Sequence, residues 1–226
     1  MNIFNGLIGF SLIYAMWGST YFFSWYGLYD NPDDLTKMRD SIGFVFVPGA
    51  FFVASLMFFC LGFVSTFSLI HNKGEGEKMT ILDALKFIVK RIVKLIPFNL
   101  FIIGFGTCLA PYMGGGPYWD LYDKAMTGCN NGYWWTNLVY IHNFYPSQFD
   151  DKCMGWTWFI SCYVQLSIIL PFLVAIYSWV PRIASGVIFG LLFIGSFVLN
   201  GVLVHSWDTG IFLKFDNDYF FNYDFY

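Results

Sequence analysis

Between Trp156 and Val180 the chain runs on without a single Asp, Glu, Lys, Arg or His. Such a stretch is too uniformly apolar for the one-sided helix of a soluble domain, and it matches the ~20 residues a helix needs to cross bilayer hydrocarbon. Four other apolar runs approach that length, at about 3–26, 41–70, 95–112 and 183–204. Composition agrees, since 57% hydrophobic, 23% aromatic and only 12% charged residues leave too little polar surface for a soluble globule. Mean hydropathy is +0.56. The expectation is an all-α polytopic membrane protein of about five spans, one membrane domain over residues 1–226. A net charge of −3 without any basic block speaks against nucleic acid as a partner. The first run starts at Ile3 with no basic leader and no small-residue cleavage site, so it reads as a retained span and not a signal peptide.

The segment "KGEGEKMTILDALKFIVKRIVK" separates the second and third runs. Its Thr80 and Asp83 have capping-box spacing, and Asp83, Lys86, Lys90 and Lys94 recur at helical intervals opposite an Ile, Leu and Phe face. This pattern predicts an amphipathic helix lying in the membrane interface and feeding the third span. Lys73, Lys78, Lys86, Lys90, Arg91 and Lys94 gather there, which puts the connection on the cytoplasmic or equivalent side. The loop "YDNPDDLTKMRD", the long 113–155 loop and the tail after His205 then face the other side, while Arg182 returns to the basic one. The predicted spans hold no ionisable residue in their interiors. Such residues mark proton relays, ion paths and catalytic centres, so the pattern counts against pump, transporter and enzyme alike. No polar stripe marks a channel.

The cysteines divide by position. Cys60, Cys108 and Cys162 fall within apolar runs and read as small buried hydrophobes. Cys129 and Cys153 share the 113–155 loop, where a disulfide between them is expected to stabilise the fold by roughly 3 kcal/mol and to imply an oxidising compartment. Cysteine and histidine spacings of a zinc site are absent.

The same loop carries the most specific sequence, "GCNNGYWWTNLVYIHNFYPSQFDDKCMGWTWFISCYVQLSIILP". By composition alone its Trp and Tyr residues form a headgroup-level aromatic belt. The order of residues resembles the acyltransferase-3 family, in the branch named for the nose-resistant-to-fluoxetine proteins. There a Cys precedes a "WWTNLLYINNF"-like run, and a "C-x-x-W-T-W-Y-L" run then opens a membrane helix. The matching residues are Cys129, Trp134, Trp135, Thr136, Asn137, Leu138, Tyr140, Ile141, Asn143, Phe144, Cys153, Trp156, Thr157, Trp158 and Gln165. "FNGLIGFSLIYAMWGSTY" looks like the family's first helix, "FNGIR...WVILGHTY". "ASLMFFCLGFVSTF" looks like its second, "VDTFFFLSGFL", and "KRIVKLIP" resembles the basic "RYLRLTP" entrance to the third. The resemblance covers nearly all of this chain but only the first half of a family domain. The sequence stops at "NYDFY", about where the family's "YxYxKPYxR" stretch begins, which fits either a fragment or a half-length relative.

The resemblance implies a chemistry and also its loss. Family enzymes move an acyl group to a hydroxyl, with a first-helix His, paired to an acidic group, as general base; imidazole suits that task near neutral pH. Here Ser19 stands at that place, Ser55 replaces the second-helix Asp, and Tyr163 replaces the acidic residue of the fourth helix. Arg91 persists at the basic entrance, and Lys94 stands for its second Arg, without the bidentate fork. Together they are the expected seat for a lipid or acyl-donor phosphate. Gly18, Ser19 and Thr20 read as a helix-packing notch, because a Ser nucleophile would need a base beside it. His71, His142 and His205 read as solvated interfacial residues, and His142 is the one to test. The tail "KFDNDYFFNYDFY" would bare several rings to water unless further sequence or a partner covers it.

These features predict a pseudoenzyme: a non-catalytic, acyltransferase-like accessory subunit of a larger membrane complex, with lipids and other subunits as partners and no cofactor. The mitochondrial inner membrane with its respiratory-type assemblies, the endomembranes and the plasma membrane all fit. The competing expectation is an active membrane-bound O-acyltransferase that takes acyl groups from acyl-CoA.

Overall fold

The computed structural model of the chain describes residues 2–24, 37, 41–71, 77–116, 119, 122, 126–148 and 151–206. The acidic and aromatic tail and nearly all of the "YDNPDDLTKMRD" loop lie outside them. The described residues form helices and turns: α1 Asn2–Ser24, α2 Phe46–His71, α3 Ile81–Gly104, the short α4 Trp135–Leu138, α5 Trp158–Trp179 and α6 Arg182–Ser206. Four helical stretches are long and apolar enough to cross a membrane, Phe52–His71, Ile81–Tyr112, Gly155–Trp179 and Arg182–Ser206. The five expected runs thus map onto helices, yet α1, at 23 residues, is not among the four. Asn5 and its Gly, Ser and Thr residues dilute its apolar character.

The largest departure from expectation concerns α3. Thr80 and Asp83 do form a capping box: the Asp83 amide donates to the Thr80 hydroxyl oxygen at 3.4 Å, and the Thr80 amide donates to the Asp83 carboxylate at 3.2 Å. The helix that starts there continues unbroken past Pro97 and, through a π-turn over Phe105–Leu109 and a 3-10 turn over Ala110–Tyr112, extends to 32 residues. Among the described residues no break separates the amphipathic segment from the third apolar run. The physical reason is that the charges at 86, 90 and 94 recur every fourth residue, so they occupy one face of a continuous helix and do not interrupt it. At ~1.5 Å per residue the stretch is about 48 Å long, more than the ~30 Å hydrocarbon core, so it must tilt or protrude. Arg91 lies on this continuous helix, four residues before the apolar run at 95–112 begins.

The chain divides into two compact units, Met1–Leu61 with Val180–Tyr226, and Gly62–Trp179. In the first, α1 grips the start of α2. The Tyr14 hydroxyl donates to the Phe46 carbonyl at 2.7 Å, and one turn on, Gly18 faces Ala50. A Cβ at Gly18 would sit 2.1 Å from the Ala50 Cβ, which is deep overlap. The notch is thus Gly18 itself, since Ser19 is exposed and the Thr20 hydroxyl donates to its own helix at the Met16 carbonyl, 2.9 Å away. Gly18→Val is expected to separate α1 from α2, at a cost of about 1–3 kcal/mol. A cysteine pair at Tyr14 and Phe46 reports it: crosslinking should fall with Val at 18 and persist with Ser at the exposed position 19 changed to Ala.

In α6 only Ser185 is buried, so the rest of its surface suits lipid. Cys60 is fully buried as expected, whereas Cys108 is exposed and Cys162 half-buried. The outer face of a span is itself apolar, so a cysteine in an apolar run need not point inward.

In the second unit α3 packs on α5, and α4 sits against α3. The Cys129–Cys153 disulfide is formed, and it belongs to a small core with Ile103, Met126 and Met154. Gly128 permits this closure. A Cβ there would meet the Asp151 carbonyl oxygen at 2.2 Å, so the two backbone segments can pass only because the residue beside Cys129 has no side chain. At the far end of α5, the Trp179 indole donates to the Met79 carbonyl at 2.8 Å, and the Met79 amide donates to the Ser178 hydroxyl at 3.3 Å. Lys78 caps that junction, with its ammonium 4.6 Å from the Trp179 ring centre.

Candidate functional site

Two polar centres lie in the second unit. The first joins the disulfide loop to α5. Thr157, Ser161 and Gln165 are spaced by four residues, so they line one face of α5 and the turn leading into it, and the segment 137–143 lies across that face. Asn137 is buried and bonded on every side. Its side-chain amide donates to the Cys153 carbonyl at 2.8 Å, its Oδ1 accepts from Thr157 at 3.2 Å, and its backbone carbonyl accepts from buried Asn99 of α3 at 3.2 Å. Gln165 and Asn143 form a reciprocal amide pair at 2.8 and 3.0 Å. Gln165 also donates to the Tyr140 carbonyl at 2.8 Å, and Tyr140 takes a left-handed backbone (φ 59°) that turns the loop toward α5.

His142 sits at the middle of this network with 1% of its surface exposed. The expectation of a solvated interfacial histidine is therefore wrong here, because α5 offers it two hydroxyls. Ser161 Oγ lies 2.7 Å from Nδ1 and Thr157 Oγ1 lies 3.1 Å from Nε2. The tautomer follows from the network. Thr157 has one hydroxyl hydrogen, and the Met154 carbonyl at 2.8 Å and Asn137 Oδ1 at 3.2 Å can only accept it. Toward His142 the Thr157 oxygen must accept, so Nε2 carries the proton and Nδ1 accepts from Ser161. Burial holds the imidazole pKa down to about 4, against an opposing hydrogen bond at the Thr157 backbone, with nearby Lys152 adding to the depression. His142 is neutral at physiological pH. The other two histidines, His71, stacked on Phe67, and His205, are exposed at helix ends.

The second centre is Arg91, half-buried where α2, α3 and α5 meet. Its guanidinium donates to Ser65 at 2.9 and 3.0 Å and to Ser167 at 3.4 Å, and its plane lies 4.9 Å from the Phe87 ring centre and 5.0 Å from that of Tyr163. Among the described residues its partners are thus neutral hydroxyls and aromatic faces. Tyr163 contributes one of those faces. Lys94, paired with Arg91 on sequence grounds, is exposed and shares none of these partners, and Ser19 and Ser55 are exposed. The structure splits the predicted phosphate seat into an inner Arg91 and an outer Lys94. The sequence reading missed Ser161, Asn99, Ser65 and Ser167; the four-residue spacing of Thr157, Ser161 and Gln165 was the available signal.

A family model described as an acyltransferase domain matches residues 11–223, nearly the whole chain. The chain belongs to the acyltransferase-3 family. Within it, the Caenorhabditis elegans protein named "Nose resistant to fluoxetine protein 6" is 30% identical over 151 residues. That match covers 62% of this chain and 18% of the longer relative. No solved structure matches the chain. Acyltransferase-3 kinship and the membrane-spanning helices make this an integral membrane protein of the nose-resistant-to-fluoxetine-like branch.

Proposed function

We propose that this acyltransferase-3 chain does not transfer acyl groups and serves as an accessory subunit of a larger membrane assembly, with Arg91 kept as a seat for the phosphate of a lipid or acyl donor. The observation that carries this reading is the state of His142. With Ser19 in place of the family's first-helix base, His142 is the imidazole left on the loop side, and both its nitrogens are engaged inside the protein. A substrate hydroxyl would find no free nitrogen to take its proton. The ring works instead as a clip between loop and helix. The disulfide requires one oxidising face, which the mitochondrial inner membrane, the endomembranes and the plasma membrane each provide.

The test is the full chain in vesicles with labelled acyl-CoA and lipid or sterol hydroxyl acceptors, together with native electrophoresis of a mild detergent extract. No transfer above a protein-free control and migration within a large complex are expected. One contact favours the alternative of an active O-acyltransferase: Ser161 Oγ hands its hydrogen to an unprotonated imidazole nitrogen at 2.7 Å, the relation that activates a serine nucleophile. Transfer by the purified chain that disappears with His142→Ala and with Ser161→Ala would establish that alternative and end the accessory reading.

A further inference from the structure

The outward face of the first half of α3 combines two features that belong together chemically. Leu85, Val89 and Val93 form an aliphatic ridge, each more than half exposed, at 51, 56 and 58%. Beside the ridge Lys86, Lys90 and Lys94 form a parallel row, all exposed. Both rows repeat every four residues, so they run side by side along the helix. Between them lies a shallow open groove of about 420 Å³, lined by Leu85, Lys86, Val89, Lys90 and Val93. Arg91 lies outside this lining and points inward to Ser65 and Ser167.

We infer that this groove is a docking site for an anionic phospholipid, whose acyl chain lies along the Leu85, Val89 and Val93 ridge while its phosphate is held by Lys86 and Lys90, with Lys94 continuing the row. Charge complementarity selects the occupant. A neutral lipid would satisfy the ridge and leave the ammonium groups unmatched, whereas a soluble anion would satisfy the lysines and leave the ridge wet. Lysines near a membrane surface favour anionic lipid, and their flexible stems let the ammonium reach headgroup depth. This site is separate from the Arg91 seat, and it is independent of whether the chain performs acyl transfer.

The experiment places the purified full chain in phosphatidylcholine vesicles and compares the bound-shell fraction of spin-labelled phosphatidylglycerol with that of spin-labelled phosphatidylcholine. The wild-type chain should favour phosphatidylglycerol about five-fold or more at low salt. The preference should fall toward one at 500 mM salt, because exposed charges are screened there. It should vanish in a Lys86→Gln, Lys90→Gln, Lys94→Gln triple variant and survive in the corresponding triple Lys→Arg variant. A wild-type chain without preference, or a preference that high salt leaves unchanged, overturns the proposal even if the triple Gln variant does not fold. Loss in Arg91→Gln with retention in the triple Gln variant also overturns it, and moves the anion to the inner seat.

Discussion

Cleaving the Cys129–Cys153 bond, by reductant or by a Cys129→Ser, Cys153→Ser double change, is expected to destabilise the second unit by about 3 kcal/mol. The bridge closes a loop with a sequence separation of 24, so its removal returns substantial chain entropy to the unfolded state. A further effect is local. The carbonyl of Cys153 accepts from Asn137, and that asparagine also receives Thr157 and Asn99, so the bridge fixes the register of the polar network on α5. Freed from it, the backbone near Gly128 and Asp151 has no reason to stay at its present close approach. Limited proteolysis checks this: cleavage between 129 and 153 should accelerate more than ten-fold under reduction, while cleavage within α6 stays constant. Equal cleavage rates in the loop with and without reductant would contradict it.

Acid should open the same region by another route. His142 has an ordinary pKa of 6.5, lowered to about 4 in the folded protein, chiefly by burial. Between those values the unfolded chain binds a proton that the folded one refuses, so stability rises with pH across that window. The contribution is full above pH 6.5, declines as pH falls toward 4, and is lost below it. Its size is at most about 3 kcal/mol, from the shift at ~1.4 kcal/mol per unit. Protonation would also put a donor on Nδ1, opposite a Ser161 hydroxyl that must then turn away. His142→Asn, which installs the residue found there in the family's "YINNF" run, supplies one acceptor and one donor without a titrating proton. Its melting temperature should be flat between pH 4 and 6.5, where the parent protein loses several degrees. A parent melting curve without slope across that window would refute the buried neutral imidazole.

The sequence and the structure agree where local chemistry decides. Apolar length placed the long helices, the Thr80 and Asp83 pair placed the start of α3, and the shared loop placed the disulfide. They part where the partner of a residue lies far along the chain. His142 looked solvated because nothing near it in sequence explains its burial; the two hydroxyls that enclose it are 15 and 19 residues away, on α5. Arg91 looked like one member of an interfacial cluster, but helical geometry turns it about 100° from Lys90, far enough to leave the lysine row and meet serines on two other helices. Ser19 appeared as one unit with Gly18, although adjacent residues on a helix face different directions and only Gly18 meets α2.

The grip on both ends of α5 has a mechanical consequence. The helix is 22 residues long, so about 33 Å separates the Thr157 contact at one end from the Met79 clamp on Trp179 at the other. That is close to the thickness of the hydrocarbon layer. A rod held so cannot slide or spin without straining its fastenings on both water-facing sides at once. Any pull on the cystine loop is therefore passed along α5, which carries Pro171 in its interior, to the turn that launches the lysine-bearing helix.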